Sequence, residues 1–147
     1  MKLLVATRNA GKVRELARLF AELRGVELVG LDALDALPDV VEDGATFEDN
    51  AAKKARELAR ASGLPTLADD SGLEIDALGG APGVHSARYA GAHGDDAANN
   101  ARVLSELEGV ALAARTARFV CVLAFADPAG PLGQDVLLTR GTIEGQI

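Results

Sequence analysis

The chain has 147 residues, which suits one domain with a real hydrophobic core. Hydrophobic residues make up 48% and charged residues 25%, a balance that excludes an intrinsically disordered chain. The formal net charge of −7 and an aromatic content of only 3% argue against nucleic acid or an anionic membrane as a partner.

"KLLVA" (2–6) is a short apolar run that stops at Thr7, which predicts a buried strand. From Lys12 the period changes: Val13, Leu16, Phe20 and Leu23 mark one helical face, and Gly25 is expected to end that helix. "VELVGL" (26–31) reads as a second strand, and strand–loop–helix–strand is the order of an α/β fold. The acidic connector "DALDALPDVVEDG" follows without clear periodicity. Thr46 then stands as an N-cap with Asp49 three residues on, and Phe47, Ala51, Ala55, Leu58 and Ala59 form the buried stripe of a second helix, closed by Gly63 and Pro65. A glycine-dense loop, "GGAPGVHSARYAGAHGD", precedes a third helix over about 95–108, with Leu104 and Leu107 expected inward. "ARFVCVLAFAD" (117–127) is a strong strand and "DVLLTRGTIEGQI" (135–147) its partner. The single Cys121, inside an apolar run, reads as a buried, reduced thiol. No apolar run approaches the roughly 18 residues of a membrane span. "MKLLVA" is interrupted too soon to be a signal peptide, so a cytoplasmic location is expected. The apolar, strand-like "TIEGQI" at the end leads us to expect a piece of a longer protein, one domain over 1–147 that is C-terminally incomplete.

Two stretches carry candidate chemistry. "VATRNAGKVREL" puts a polar loop between a strand and a helix start, where backbone N–H groups lack intrahelical partners and suit a phosphate. Gly11 permits close approach, Thr7 and Asn9 offer side-chain donors, and Lys12 offers a point charge. It is not a Walker loop, because Ala6 and Val13 stand where Gly and Ser or Thr belong, and an ordinary tight turn fits the same residues. In "PTLADDSGLEIDALGG" (65–80), Asp69 and Asp70 are adjacent at the end of an apolar strand. An Asx-type turn explains such a pair, and so does a Mg²⁺ site, since Mg²⁺ binds through one or two carboxylates plus substrate phosphates. Glu42 and Asp43 are either further ligands or a solvated acidic connector. Asn50 and Lys54 share one helical face, which is surface decoration or a site wall. His85 and His93 have no metal-ligand spacing, and neither is given a catalytic role.

Together "ATRNAGKVREL", "EDGATFEDNAAKKA", "LADDSGLEIDALGGAPGVHSARYAG" and "ARFVCVLAF" closely resemble the inosine/xanthosine triphosphate pyrophosphatase family, in order and over nearly the whole chain. The resemblance implies an elongated mixed β-sheet flanked by helices, with two lobes and a central cleft, in a homodimer. It implies Mg²⁺-dependent hydrolysis of non-canonical purine nucleoside triphosphates (ITP, dITP, XTP) to the monophosphate and pyrophosphate, sanitising the nucleotide pool. Carried over by motif, Thr7, Arg8, Asn9, Ala10, Gly11 and Lys12 form the triphosphate loop, Lys54 faces the phosphates and Ser71 touches substrate. Glu42 is a Mg²⁺ ligand, Asp70 is both metal ligand and proton acceptor for the attacking water, and Asp69 supports it. His85 replaces a tyrosine common in relatives, and the family's downstream "FGYD" and "SHR" segments, which read the base, have no counterpart before Ile147. A nucleotide-binding module without turnover is therefore the alternative. The Maf-like pyrophosphatases are argued against by "TRNAGK", and a haloacid-dehalogenase-type phosphatase by acids that are adjacent and late in the chain.

Overall fold

A computed structural model describes residues 1–34 and 36–147, so Asp35 of the acidic connector lies outside the described residues. The strands are β1 (Lys2–Val5), β2 (Glu27–Gly30), β3 (Thr66–Ile75), β4 (Thr116–Ala126) and β5 (Val136–Gln146). The helices are α1 (Ala10–Leu19), α2 (Phe47–Ser62) and α3 (Asp96–Glu106). The expected α/β class holds: the strands form a mixed five-stranded sheet, order β2-β1-β3-β4-β5, flanked by helices. By contacts the chain divides into two units. The first comprises Met1–Asp43, Glu48–Asp69 and Leu123–Thr139, the second Gly44–Phe47, Asp70–Val122 and Arg140–Ile147.

In the first unit Leu3, Leu4, Val5 and Ala6 are consecutive and all buried, the pattern of a parallel strand covered on both faces. β1 pairs in parallel with β2 (Lys2 with Glu27, Val5 with Gly30) and with β3 (Leu4 with Thr66, Val5 with Leu67). The stripe expected of α2 is buried throughout. α1 departs from expectation, since it ends at Leu19 and its apolar face is only half-buried. Beyond Phe20 the chain tightens into i→i+3 turns, with Leu23 N–H donating to Phe20 C=O at 2.9 Å, and Leu23 falls outside the helical stripe, half-exposed.

The second unit packs around Ile75, Val103, Leu107 and Ala117, with Leu73, Leu78, Tyr89, Val110 and Ile147 against them. Leu104, expected inward, is 53% exposed. Asp95 sets the frame of α3 by accepting a hydrogen bond from Ala98 N–H, and the buried line is then Asn99, Val103 and Leu107, spaced four apart. Cys121 is likewise a correction: it is exposed. Val120 and Val122 point into the core, so the strand's period of two turns Cys121 to the opposite face, beside the 64% exposed Phe119.

An ion-pair network ties the strands of this unit. The Arg118 guanidinium donates to both Asp76 oxygens at 3.0 Å and to Glu144 at 3.0 Å, the Thr116 hydroxyl adds a bond to Asp76 at 2.7 Å, and Arg140 holds Glu74 at 3.1 Å. The hydrogen bonds from Arg118 and then Thr116 hold the Asp76 carboxyl below its ordinary value of 3.8. A folded-state pKa below the unfolded one contributes stability that is present above the unfolded value and is lost as pH falls through the folded one. The melting temperature should therefore fall as pH drops below the ordinary carboxylate value of about 4, and Arg118→Met should flatten that slope in thermal melts over acid pH. In the first unit, Leu4→Ala removes a fully buried side chain from a central strand, and urea unfolding should show a loss of about 2–5 kcal/mol.

Candidate active site

β1 delivers the loop Thr7–Lys12, and the loop is organised from within. Asn9 is the N-cap of α1, its Oδ1 accepting from Gly11 N–H at 2.8 Å and Lys12 N–H at 3.3 Å, while Thr7 Oγ1 accepts from Asn9 N–H at 3.1 Å. Gly11 leaves room for this closure, because a Cβ there would lie 3.0 Å from Asn9 Oδ1 and push that oxygen back by a few tenths of an ångström. The amides of Asn9, Gly11 and Lys12 are thus bonded inside the loop, and the polar groups that Arg8, Asn9 and Lys12 present to solvent belong to exposed side chains. Ala10 opens the helix and is exposed.

The β1–β3 register brings this loop to the carboxyl end of the buried part of β3, the usual place for ligands in sheets with parallel strands. Lys12 Nζ lies 2.5 Å from Asp69 Oδ2. Lys54, from α2, donates to the Asp69 backbone carbonyl at 2.8 Å and also pairs with Glu42 Oε1. The helical face shared by Asn50 and Lys54 is not surface decoration: Asn50 is 1% exposed and the Lys54 side chain 17%. In the acidic connector, Asp39 meets Arg8 at 2.9 Å and Asp43 meets Lys53 at 2.7 Å, where the Lys53 hydrogen bond holds the Asp43 carboxyl below the usual carboxylate range. Glu42 and Asp43, neighbours in sequence, therefore serve different lysines.

In the second unit, Asp70 Oδ1 accepts from the adjacent Ser71 N–H at 3.0 Å, and the Asx-type turn weighed from the sequence is not formed, since that turn bonds two residues on and Asp69 and Asp70 lie inside β3. Ser71 is exposed and Asp70 half-buried. Gly72 is required by close approach: a Cβ would meet Gly83 O and Ser86 Oγ at 2.6 Å and the Phe47 ring at 2.9 Å. Ser86, unnoticed in the sequence, is the residue that pins this segment. Its hydroxyl accepts from Leu73 N–H at 2.9 Å and donates to Gly83 C=O at 2.6 Å, fastening the Gly83–Arg88 turn to β3. The signal for Ser86 was only a serine in a glycine-rich loop, which carries no address for its partner. His85 is exposed on the same turn.

Residues 3–147 match the model of the Ham1 family. This chain belongs to the Ham1 family. A dITP/XTP pyrophosphatase of Syntrophobacter fumaroxidans is 55% identical over 141 residues, covering 96% of this chain and 60% of that protein. One from Geobacillus kaustophilus is 51% identical, covering 99% of this chain and 69% of its own length. The crystal structure of a nucleoside-triphosphatase / dITP/XTP pyrophosphatase from Mycobacterium abscessus superposes with a TM-score of 0.88 at 46% identity, covering all of this chain and 74% of that one. This Ham1 chain thus spans about 60 to 74% of the length of these relatives. Among the described residues no helix is long and apolar enough to cross a membrane.

Because three groups crowd the missing Cβ of Gly72, Gly72→Ala should lower stability by about 1–3 kcal/mol in urea unfolding. It should also displace the neighbouring Asp70 and Ser71. Gly83→Ala, which has open space around its Cβ but a positive φ of 56°, should cost less, about 1 kcal/mol.

Proposed function

We propose that this chain hydrolyses non-canonical purine nucleoside triphosphates to the monophosphate and pyrophosphate, as the names of its relatives suggest, in the cytoplasm and as a homodimer. The observation that carries the reading is the meeting of two lysines, distant in sequence, at Asp69: Lys12 on its carboxylate and Lys54 on its carbonyl. Two ammonium groups held where β3 emerges from the core, next to a loop that opens a helix, suit a polyphosphate whose charge must be neutralised and whose position must be held.

The donor set also fits Mg²⁺. The oxygens of Glu42 and of the Asp69 carbonyl already converge on a positive charge, the Lys54 ammonium, and they are the hard oxygen donors that Mg²⁺ takes. Among the described residues no group of three or more His, Cys, Asp or Glu side chains is assembled to hold a metal. Mg²⁺ binds through one or two carboxylates, completed by phosphate and water. We assign Glu42 and Asp70 as the ligands. When bound, Mg²⁺ would screen the phosphate charge and lower the pKa of a bound water.

The chain's own residues supply the remaining steps. Lys12 and Lys54 hold phosphate oxygens, and the Asn9 cap keeps the loop in shape. Ser71 contacts the substrate. Asp70 accepts the proton of the attacking water as that water adds across the α–β anhydride bond, and pyrophosphate leaves. General-base help of this kind contributes roughly 10²–10⁴-fold. A nucleotide-binding module without turnover is the second reading, since the two lysines gathered at Asp69 serve binding alone equally well.

Incubation with ITP and Mg²⁺, with ATP in parallel, should yield IMP and pyrophosphate from ITP and little product from ATP. IDP plus phosphate would place the cleavage elsewhere and overturn the proposal, whereas binding of ITP without any product would favour the second reading. Asp70→Asn should abolish turnover while leaving the circular dichroism spectrum and melting temperature near those of the parent chain. Pyrophosphate release by that folded variant would remove Asp70 from its role.

A further inference from the structure

Among the described residues β1 pairs with β3 at Thr66 and Leu67 and no further. The stretch of β3 that holds Asp70 is closed along one edge by other groups. Ser71, Leu73 and Ile75, two apart in an extended chain, present their amides to the same edge. Ile75 N–H donates to Ala81 C=O at 3.1 Å, Leu73 N–H to Ser86 Oγ at 2.9 Å, and Ser71 N–H to Asp70 Oδ1 at 3.0 Å. The middle acceptor is a side chain from another segment, and the last is the proposed base itself.

Ser86 suits this place by its own bonding. A hydroxyl carries one proton and two lone pairs. The Ser86 proton goes to Gly83 C=O at 2.6 Å, which leaves the oxygen's lone pairs for Leu73 N–H. The Gly83–Arg88 turn and β3 are thereby joined at one atom. The join has no slack, because a Cβ on Gly72, between Ser71 and Leu73, would stand 2.6 Å from both Ser86 Oγ and Gly83 O. We infer that Ser86 is a positioning residue for the proposed hydrolysis: its hydroxyl holds Leu73 N–H, and with it the strand segment whose next amide, Ser71 N–H, keeps the Asp70 carboxylate in place to take a proton.

The inference rests on the proposed function in taking Asp70 as the proton acceptor. Without the Ser86 hydroxyl, Leu73 N–H loses its partner, and the strand shifts toward water or another acceptor. Two residues of extended chain span about 7 Å, so that shift reaches Ser71 and the carboxylate bonded to it. A misplacement of about 1 Å at a reacting group costs on the order of a hundredfold in rate. Phosphate binding is assigned to Lys12 and Lys54, and Ser86 is bonded to neither, so the loss should fall on kcat rather than KM.

The test compares the parent chain with Ser86→Ala and with Ser86→Cys, which keeps the side chain's size but bonds weakly. Thr116→Val is the control, since it removes another hydroxyl of the same unit, bonded to Asp76 at 2.7 Å. Amide hydrogen exchange is followed by NMR in metal-free protein, and kcat and KM are measured for ITP with Mg²⁺, below the melting temperature of every variant. In both Ser86 variants the Leu73 and Ser71 amides should exchange about tenfold faster or more, while Ile75, held by Ala81, changes little. Their kcat should fall by about ten- to a hundredfold, with KM within about threefold of the parent's. Thr116→Val should leave the Ser71 amide and kcat at the parent's values.

An unchanged Ser71 amide in Ser86→Ala would overturn the inference. So would a Ser86→Cys protein with the parent's kcat, a loss carried by KM alone, or an equal loss of kcat in Thr116→Val. If the parent chain turns over no ITP, the proposed reaction fails and exchange at Ser71 decides the inference by itself. Turnover that survives intact in the Ser86 variants keeps the reaction and removes the inference.

Discussion

Leu4 and Val5 pair in parallel with Thr66 and Leu67, and the geometry of the candidate site depends on that register. Both segments are buried, so sliding β1 by a residue would draw the exposed Lys2 or the polar Thr7 into the core and is strongly opposed. With the register held, β1 ends in its loop where β3 emerges from the core at Asp69, and the loop's lysine is within reach of that carboxylate. α2 then supplies Lys54 from a helix whose alanine-rich stripe lets it pack closely. Burial of short aliphatic side chains thus decides where the charges meet.

The electrostatics suit a chain that is acidic overall yet reads as a handler of polyanions. A net charge of −7 repels phosphate at long range. Within the site the cations are matched by Asp39, Glu42 and Asp69 rather than left in excess. The loop contributes shape as well as charge. The amides of Asn9, Gly11 and Lys12 are closed on Thr7 and Asn9, so the loop's backbone is shaped by its own bonds, which lowers the ordering cost of binding there.

The second unit positions Asp70 and Ser71 by different means. Gly72 is squeezed between Gly83, Ser86 and Phe47, and Ser86 bonds to both sides of the contact. The residues beside the proposed base are therefore fastened by packing and neutral hydrogen bonds. The charged network of Arg118, Asp76, Glu144, Glu74 and Arg140 lies further along the strands and ties them to one another.

Much of this was legible in the chain itself. Apolar runs and their period located the five strands and three α-helices of the described residues, apart from the early end of α1 and the run of β3 on through Asp69 and Asp70 to Ile75, because burial on one or two faces leaves a pattern in local sequence. The motifs named the family, and the adjacent acids after "PTLA" marked the place where chemistry is expected. Partners were not legible. That Lys54 would be half-buried between Glu42 and Asp69, that Glu42 and Asp43 would serve different lysines, and that Ser86 would clamp β3 follow only from the folded chain. The same is true of Cys121 facing outward and Val103 replacing Leu104 in the core, since helix frame and strand face are set by capping and by what covers each side. Periodicity is a local property that a sequence carries by itself, whereas a contact between residues far apart in the chain exists only once packing has chosen which buried faces meet.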